Sequence, residues 1–337
     1  MTKPIIAITT GDPAGIGPEI ALKSADDARV RGVCRPLLVG DFGVLEFFRA
    51  RYQLPLALRS ITAVEEAEFG NDAVDVLDVP NLPLDGFQPG VATADCGRAI
   101  LDYAARAIEL ALAGEVAAIV AGPQTQKAIR AAGIDFDGYP RFIAARTGTD
   151  PNDVFLMLYN DDLRIVHVTL HTSLRAALDL IDRDRVLKTL RAAHLAVCNL
   201  GIDRPRLAVS GVNPHAGEDG LFGREEIEHV APAIADAKAE GVDAHGPFGA
   251  DTMYLDRSFD AYVVMTHDQG HIPAKLLGFD STAAFTIGTP VFFATVAHGS
   301  AADIAGKGVA DPGAMIETLV RMANIGKVRP PATSRGN

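Results

Sequence analysis

The stretch AYVVMTHDQGHIPAKLL, residues 261–277, passes from a short apolar run into a crowd of two histidines, an acid, an amide and a lysine. The run is brief, β-branched and uncharged, which predicts a strand buried on both faces. Pro273 suits the first position of a helix, so a helix is expected to begin near it, with Lys275 on its first turn. His267, Asp268 and His271 then fall in the loop between. Strand, polar loop and helix make the unit of α/β folds with parallel sheets, where ligands gather at the carboxyl ends of strands.

The same unit recurs along the chain. Candidate strands are IIAIT (5–9), PLLVG (36–40), VDVLDV (74–79), AAIVAG (117–122), VFLML (154–158), LRIVHVT (163–169), RLAVSG (206–211), AYVVM (261–265) and AAFTIG (283–288). Amphipathic stretches at 17–29, 93–113, 183–200, 225–239 and 313–325 predict helices between them. No repeat and no Ser/Gly linker interrupts the pattern, so two interleaved subdomains are expected over 1–328, with RPPATSRGN (329–337) a flexible tail.

The 337 residues are 48% hydrophobic, enough for a large core, and carry a net charge of −12. Phosphate backbones need a positive footprint, so nucleic acid is not an expected partner. No apolar stretch has membrane-spanning length, and the N-terminal segment lacks the long apolar region of a secretion signal. Cys34, Cys96 and Cys198 are odd in number and in no metal spacing, and read as thiols of a reducing compartment. A cytoplasmic protein is expected.

The loops after the strands carry the chemistry. ITTGDPAGIGPEI (8–20) is a strand, a glycine-rich turn and a helix start, with Pro18 and Glu19 in the first turn. It reads as a backbone cradle for a ligand or as a tight turn, and its spacing matches no nucleotide fingerprint. In RIVHVTLHTSL (164–174), His167 falls mid-strand as a core histidine, while His171 falls at the strand end before a Thr172/Ser173 cap. AVSGVNPHAGEDG (208–220) places His215 on a Pro-fixed turn. His171, His215 and His267 each follow a strand, and three imidazoles can hold one divalent ion while leaving positions open. Their spacing alone is no metal signature. Asp251 in GPFGADTMY (246–254) is a possible acid/base group or a helix cap. AHGSAADIAGKGVADPGA (297–314) is small enough to let a planar ring approach the backbone, or to pack closely.

Taken together, TTGDPAGIGPEI, GVNPHAGEDGLFGREE, GPFGADTMY, HDQGHIPAKLLGF and AHGSAADIAGKG resemble the 4-hydroxythreonine-4-phosphate dehydrogenase family, in order from residue 8 to about 325. HGSAADIAGKG is also similar to the adenosine-binding loop of isopropylmalate dehydrogenases. The resemblance implies an isocitrate/isopropylmalate dehydrogenase-like α/β fold, with two subdomains sharing a mixed, largely parallel sheet and an active site in the cleft between them. It implies a homodimer with the site at its interface, and a metal held by His171, His215 and His267. Zn²⁺ suits three nitrogen ligands, with Mg²⁺, Mn²⁺ or Co²⁺ as alternatives. It implies NAD at Gly11, Asp12, His298, Gly299, Asp303 and Ile304, where Asp303 would accept from a ribose diol and repel a 2′-phosphate. Lys275 falls on the family's substrate lysine, and Asp251, Lys275 or water would serve as base.

Three positions depart from the phosphate-using pattern. Tyr139-Pro140 stand where that pattern has His-Thr, Ala284 where it has asparagine, and Phe293 where it has arginine. A phenyl ring cannot replace an arginine fork on phosphate. GYPRF, FLML, RIVHVTLH and HDQGHIPAKLL are similar instead to terephthalate cis-dihydrodiol dehydrogenases, with Arg141 replacing a small residue of that branch. The expectation is oxidation with decarboxylation of 1,2-dihydroxy-3,5-cyclohexadiene-1,4-dicarboxylate to 3,4-dihydroxybenzoate, lined by Tyr139, Pro140, Arg141, Lys275, Ala284 and Phe293. The alternative is a 4-hydroxythreonine-4-phosphate dehydrogenase or a related four-carbon phospho-sugar-acid dehydrogenase.

Overall fold

The computed structural model describes residues 2–160, 163–278, 282–296 and 298–323. The tail expected at 329–337 lies outside them. In chain order the strands and α-helices are β1 (Ile5–Thr9), α1 (Gly17–Asp26), α2 (Ala28–Val33), β2 (Arg35–Gly40), α3 (Phe42–Arg51), β3 (Ala57–Ile61), β4 (Ala73–Asp78), α4 (Ala94–Leu112), β5 (Ala118–Ala121), α5 (Gln126–Ala131) and α6 (Tyr139–Thr147). There follow β6 (Phe155–Asn160), β7 (Leu163–His167), α7 (Leu174–Leu180), α8 (Arg183–Asn199), β8 (Arg206–Ser210), α9 (Ala231–Ala239), β9 (Asp243–Phe248), β10 (Ala261–Val264), α10 (His267–Gly278), β11 (Ala283–Ile287), β12 (Phe293–Val296) and α11 (Gly313–Met322).

The chain divides into two compact units. One holds the residues up to Thr147 and the described residues from Val291 on; the other holds Gly148–Pro290. The first unit's strands run β3-β4-β2-β1-β5-β12 and pair in parallel throughout. Leu37, Val39, Ile119, Ile108, Ile143 and Phe293 share its core. Side-chain caps fix the helix starts: Thr93 accepts from the Cys96 N–H at 3.2 Å, and Asp41 from the Val44 N–H at 3.1 Å.

The second unit's strands run β11-β6-β7-β10-β8-β9. β6 is antiparallel to both β11 and β7, while β7, β10, β8 and β9 are parallel. The expected α/β class with a largely parallel sheet holds. β3, β9 and β12 were not among the expected strands. ALRSI and DAHGPF face solvent along much of their length and lack an apolar run. The stretch at 225–239 is helical, but it opens as a π-helical turn, Glu226–Val230.

One boundary is corrected. α10 starts at His267, not near Pro273, so His267, Asp268 and His271 are helical and Pro273 is interior. Proline cannot donate to the carbonyl four residues back, here Gln269. The Tyr254 hydroxyl donates to that carbonyl at 2.8 Å instead. The helix thus runs through a residue that normally ends one because a side chain from another segment fills the missing bond.

Candidate active site

The second unit carries the three candidate metal histidines. β7, β10 and β8 are adjacent and parallel, so their carboxyl ends lie side by side. His171 follows β7, His267 opens α10 after β10, and His215 follows β8. Residues far apart in sequence are thus placed at one edge by strand order alone.

The His171 and His267 rings face each other at 5.8 Å between centroids. That is close to the separation of two imidazoles sharing one ion, given metal–nitrogen bonds of about 2.1 Å. His215 is turned otherwise. Its Nδ1 lies 3.1 Å from the Glu218 carboxylate, and its ring meets Phe222 edge-on. Among the described residues, no three His, Cys, Asp or Glu side chains are gathered at metal-holding distance. The three imidazoles suit a divalent ion by chemistry and the His171–His267 pair by spacing; His215, held by Glu218 and Phe222, does not complete the site.

His215 rides on an unusual turn. Residues 215–219 all take left-handed backbone, with φ of 53°, 54°, 82°, 42° and 54°, and only Gly217 does so without strain. Glu226 is buried beneath it. Its carboxylate accepts from the Val212 and Asn213 N–H groups, both at 2.7 Å, and from the Asn213 side chain at 3.0 Å. Gly217 and Gly211 pass so close that a Cβ on either would strike Glu226. Glu226 was not among the residues singled out by sequence: it stands sixteen residues past the end of β8, in a stretch whose pattern announces only a helix. Asp251 is exposed and lies beside this turn, since a Cβ at Gly249 would come within 2.8 Å of its Oδ1 and 3.8 Å of the His215 Cα.

His267, His271 and Lys275 recur every fourth residue of α10 and share one stripe of it. Lys275 is exposed. His167 is buried at the end of β7, as expected of a core histidine, but its partner is a site residue: its Nε2 lies 3.1 Å from His271 Nδ1. Burial and neighbouring imidazoles lower the pKa of His167 to about 3, and burial with His267 lowers that of His271 to about 4. Ala284 lies on β11 opposite Leu158.

The first unit carries the candidate cofactor loops. Gly11 has φ +66°, and a Cβ there would lie 2.4 Å from the Pro123 carbonyl oxygen. Asp12 is buried; it accepts from the Ala14 N–H at 2.9 Å and from the Thr125 hydroxyl. Thr125 meets Ser300 at 2.6 Å, which joins the loops after β1, β5 and β12. Burial raises the Asp12 pKa against the pull of those bonds. The loop at 298–311 is pinned from outside: Lys23 donates to the Ala310 carbonyl at 2.8 Å, Glu19 accepts from the Ala310 N–H at 2.8 Å, and Arg51 donates to the Gly306 carbonyl at 2.7 Å. Asp303 stays exposed and Ile304 half-buried. Ile16, His298, Gly299, Ala301 and Asp311 line an open groove.

The remaining substrate candidates differ in kind. Tyr139 opens α6 with Pro140 behind it, and its ring lies 4.9 Å from that of Phe293. Both are buried in the first unit's core, so Phe293 acts there as packing. Among the described residues the Tyr139 hydroxyl is buried without a hydrogen-bond partner, and burial, then the Asp12 charge, push its pKa up. Arg141 is exposed and paired with Asp137 at 3.0 Å.

The family model for the pyridoxal phosphate biosynthetic protein PdxA matches residues 32–323. A D-threonate 4-phosphate dehydrogenase from Cupriavidus necator is 41% identical over 96% of this chain and 97% of its own. The crystal structure of a 4-hydroxythreonine-4-phosphate dehydrogenase from Klebsiella pneumoniae is 39% identical, with a TM-score of 0.88 over 96% of this chain and 100% of that one. A terephthalate 1,2-cis-dihydrodiol dehydrogenase from Burkholderia xenovorans is 40% identical, with a TM-score of 0.72 over 96% and 98%. With histidines at three adjacent strand ends and a match across most of its length, the chain belongs to the PdxA family of dehydrogenases and is an oxidoreductase acting on a CH–OH group.

Proposed function

We propose that this protein is a metal-assisted, NAD-linked dehydrogenase of a four-carbon phosphorylated hydroxy acid, of the D-threonate 4-phosphate or 4-phosphohydroxythreonine kind. The observation that carries this is the 41% identity, over nearly all of both chains, to a protein of the first activity. It moves the emphasis away from the ring diol expected from sequence. A divalent ion held by His171, His267 and a reoriented His215 would lower the pKa of the substrate alcohol. Asp251, Lys275 or water would take the hydroxyl proton, and bound NAD⁺ would supply the acceptor for the carbinol hydrogen as hydride. The products are the ketone, NADH and a proton. The 298–304 loop would hold NAD by its adenosine, with the exposed Asp303 carboxylate offered to a ribose diol. Exposed Leu255, Ile272, Leu276 and Leu277 in the second unit support a homodimer.

A second reading is favoured by one feature. Where phosphate would need a cation, Tyr139 and Phe293 form an apolar pair with Asp12 as the neighbouring charge. An apolar pair suits the carbon face of a ring better than a phosphate, as in the dihydrodiol dicarboxylate oxidised with loss of CO2. The deciding experiment is NADH formation by the Zn²⁺-loaded protein with D-threonate 4-phosphate, 4-phosphohydroxythreonine and the terephthalate cis-dihydrodiol in parallel. Turnover of a phosphate ester, lost in His215→Ala, supports the first reading. Turnover of the dihydrodiol alone overturns it for the second.

A further inference from the structure

His271 was absorbed by none of the roles above, yet its surroundings fix it closely. His167 Nδ1 faces the Leu156 carbonyl at 3.3 Å, so that nitrogen carries a proton and donates. His271 Nδ1 faces the His267 carbonyl at 3.2 Å as well as His167 Nε2 at 3.1 Å. A carbonyl only accepts, so His271 Nδ1 carries a proton and His167 Nε2 receives it. The tautomers follow from the partners: His167 holds its proton on Nδ1, and a neutral His271 leaves its lone pair on Nε2.

The arrangement is built into the backbone. A Cβ at Gly270 would lie 2.3 Å from His167 Nε2 and 2.8 Å from an Ile165 methyl. The glycine of HDQGH is what lets the buried ring reach the helix. The His271 ring stacks on His267 at 3.7 Å and 10° between planes. Lone pairs in two parallel stacked planes do not converge on one ion, so His271 is not a second ligand beside His267. It sits one turn after a candidate metal ligand and one turn before the candidate substrate lysine, on their stripe of α10.

We propose that His271 is a substrate-contacting residue whose Nε2 accepts a hydrogen bond from a hydroxyl of a polyhydroxy acid lying between His267 and Lys275. This rests on the reading of those two residues as metal ligand and substrate lysine. His167 and Gly270 are positioning residues that commit the other ring nitrogen.

The test uses full-length protein loaded with Zn²⁺ and whichever of the three substrates named above it oxidises. His271→Asn keeps a donor near Nδ1 and deletes the Nε2 acceptor; His271→Gln puts an amide near the Nε2 position. The expected result is a KM raised about tenfold in His271→Asn, with Zn²⁺ affinity and melting temperature unchanged, and a KM within about threefold of the parent in His271→Gln. An unchanged KM in His271→Asn overturns the contact and leaves the residue structural. Loss of Zn²⁺ affinity in His271→Asn overturns it in favour of a ligand-supporting role. No turnover of any of the three by the parent protein overturns the functional reading beneath it, and the contact with it.

Discussion

Tyr254→Phe removes one hydroxyl and tests how α10 passes through Pro273. That hydroxyl donates at 2.8 Å to the Gln269 carbonyl, which proline at 273 leaves without its helical partner. The ring itself stays packed on Tyr262, 5.0 Å away, so the substitution makes no cavity. A part-buried carbonyl stripped of its donor costs about 1–2 kcal/mol. Pro273→Ala restores an N–H at the position that should bond Gln269. In that background the carbonyl is satisfied from within the helix, and Tyr254→Phe should cost less than about 0.5 kcal/mol. The coupling expected from the double-mutant cycle is therefore about 1 kcal/mol. Urea unfolding of the four proteins measures it, and hydrogen exchange of the α10 amides localises it. An equal cost of Tyr254→Phe in both backgrounds would refute the argument that the tyrosine substitutes for the missing proline N–H.

Three further outcomes follow from the same unit. Gly270→Ala would drive a Cβ into His167 Nε2 and an Ile165 methyl; destabilisation of about 2 kcal/mol or more is expected in urea, with much of it relieved by adding His167→Ala. Glu226→Ala leaves the Val212 and Asn213 N–H groups unpaired beneath the left-handed turn. It should cost about 3 kcal/mol and weaken Zn²⁺ binding at least tenfold, read by titration calorimetry. In metal-free protein, His167 has a folded pKa of about 3, below its unfolded value. Between the two, the unfolded chain binds a proton that the folded chain does not. Stability should therefore be unaffected by this group above about pH 6.5 and fall by up to about 1.4 kcal/mol per unit as pH drops toward 3. His167→Gln should flatten that part of the profile of unfolding free energy against pH.

The sequence by itself determined the elements that have a local cause. IIAIT is β1 to the residue, and AYVVM and RLAVSG each end within one residue of the observed strand, because short apolar β-branched runs have few other uses. Ser173 caps α7 as expected, accepting from the Ala176 N–H at 3.2 Å. The three metal candidates were also legible, as histidines in polar loops after strands. Polar edge strands were not: ALRSI and DAHGPF are held by pairing partners that their own residues do not announce.

Only the tertiary structure decided what those loops do together. Strand order places β10 between β7 and β8, and so sets His267 between His171 and His215. Tyr254, from another segment, moved the start of α10 six residues ahead of Pro273 and turned a presumed loop into a stripe of His267, His271 and Lys275. Burial did the rest. Glu226 looks like a surface acid in sequence and His167 like an isolated core histidine. Their roles follow from the unpaired N–H groups and the imidazole nitrogen that the fold packs against them.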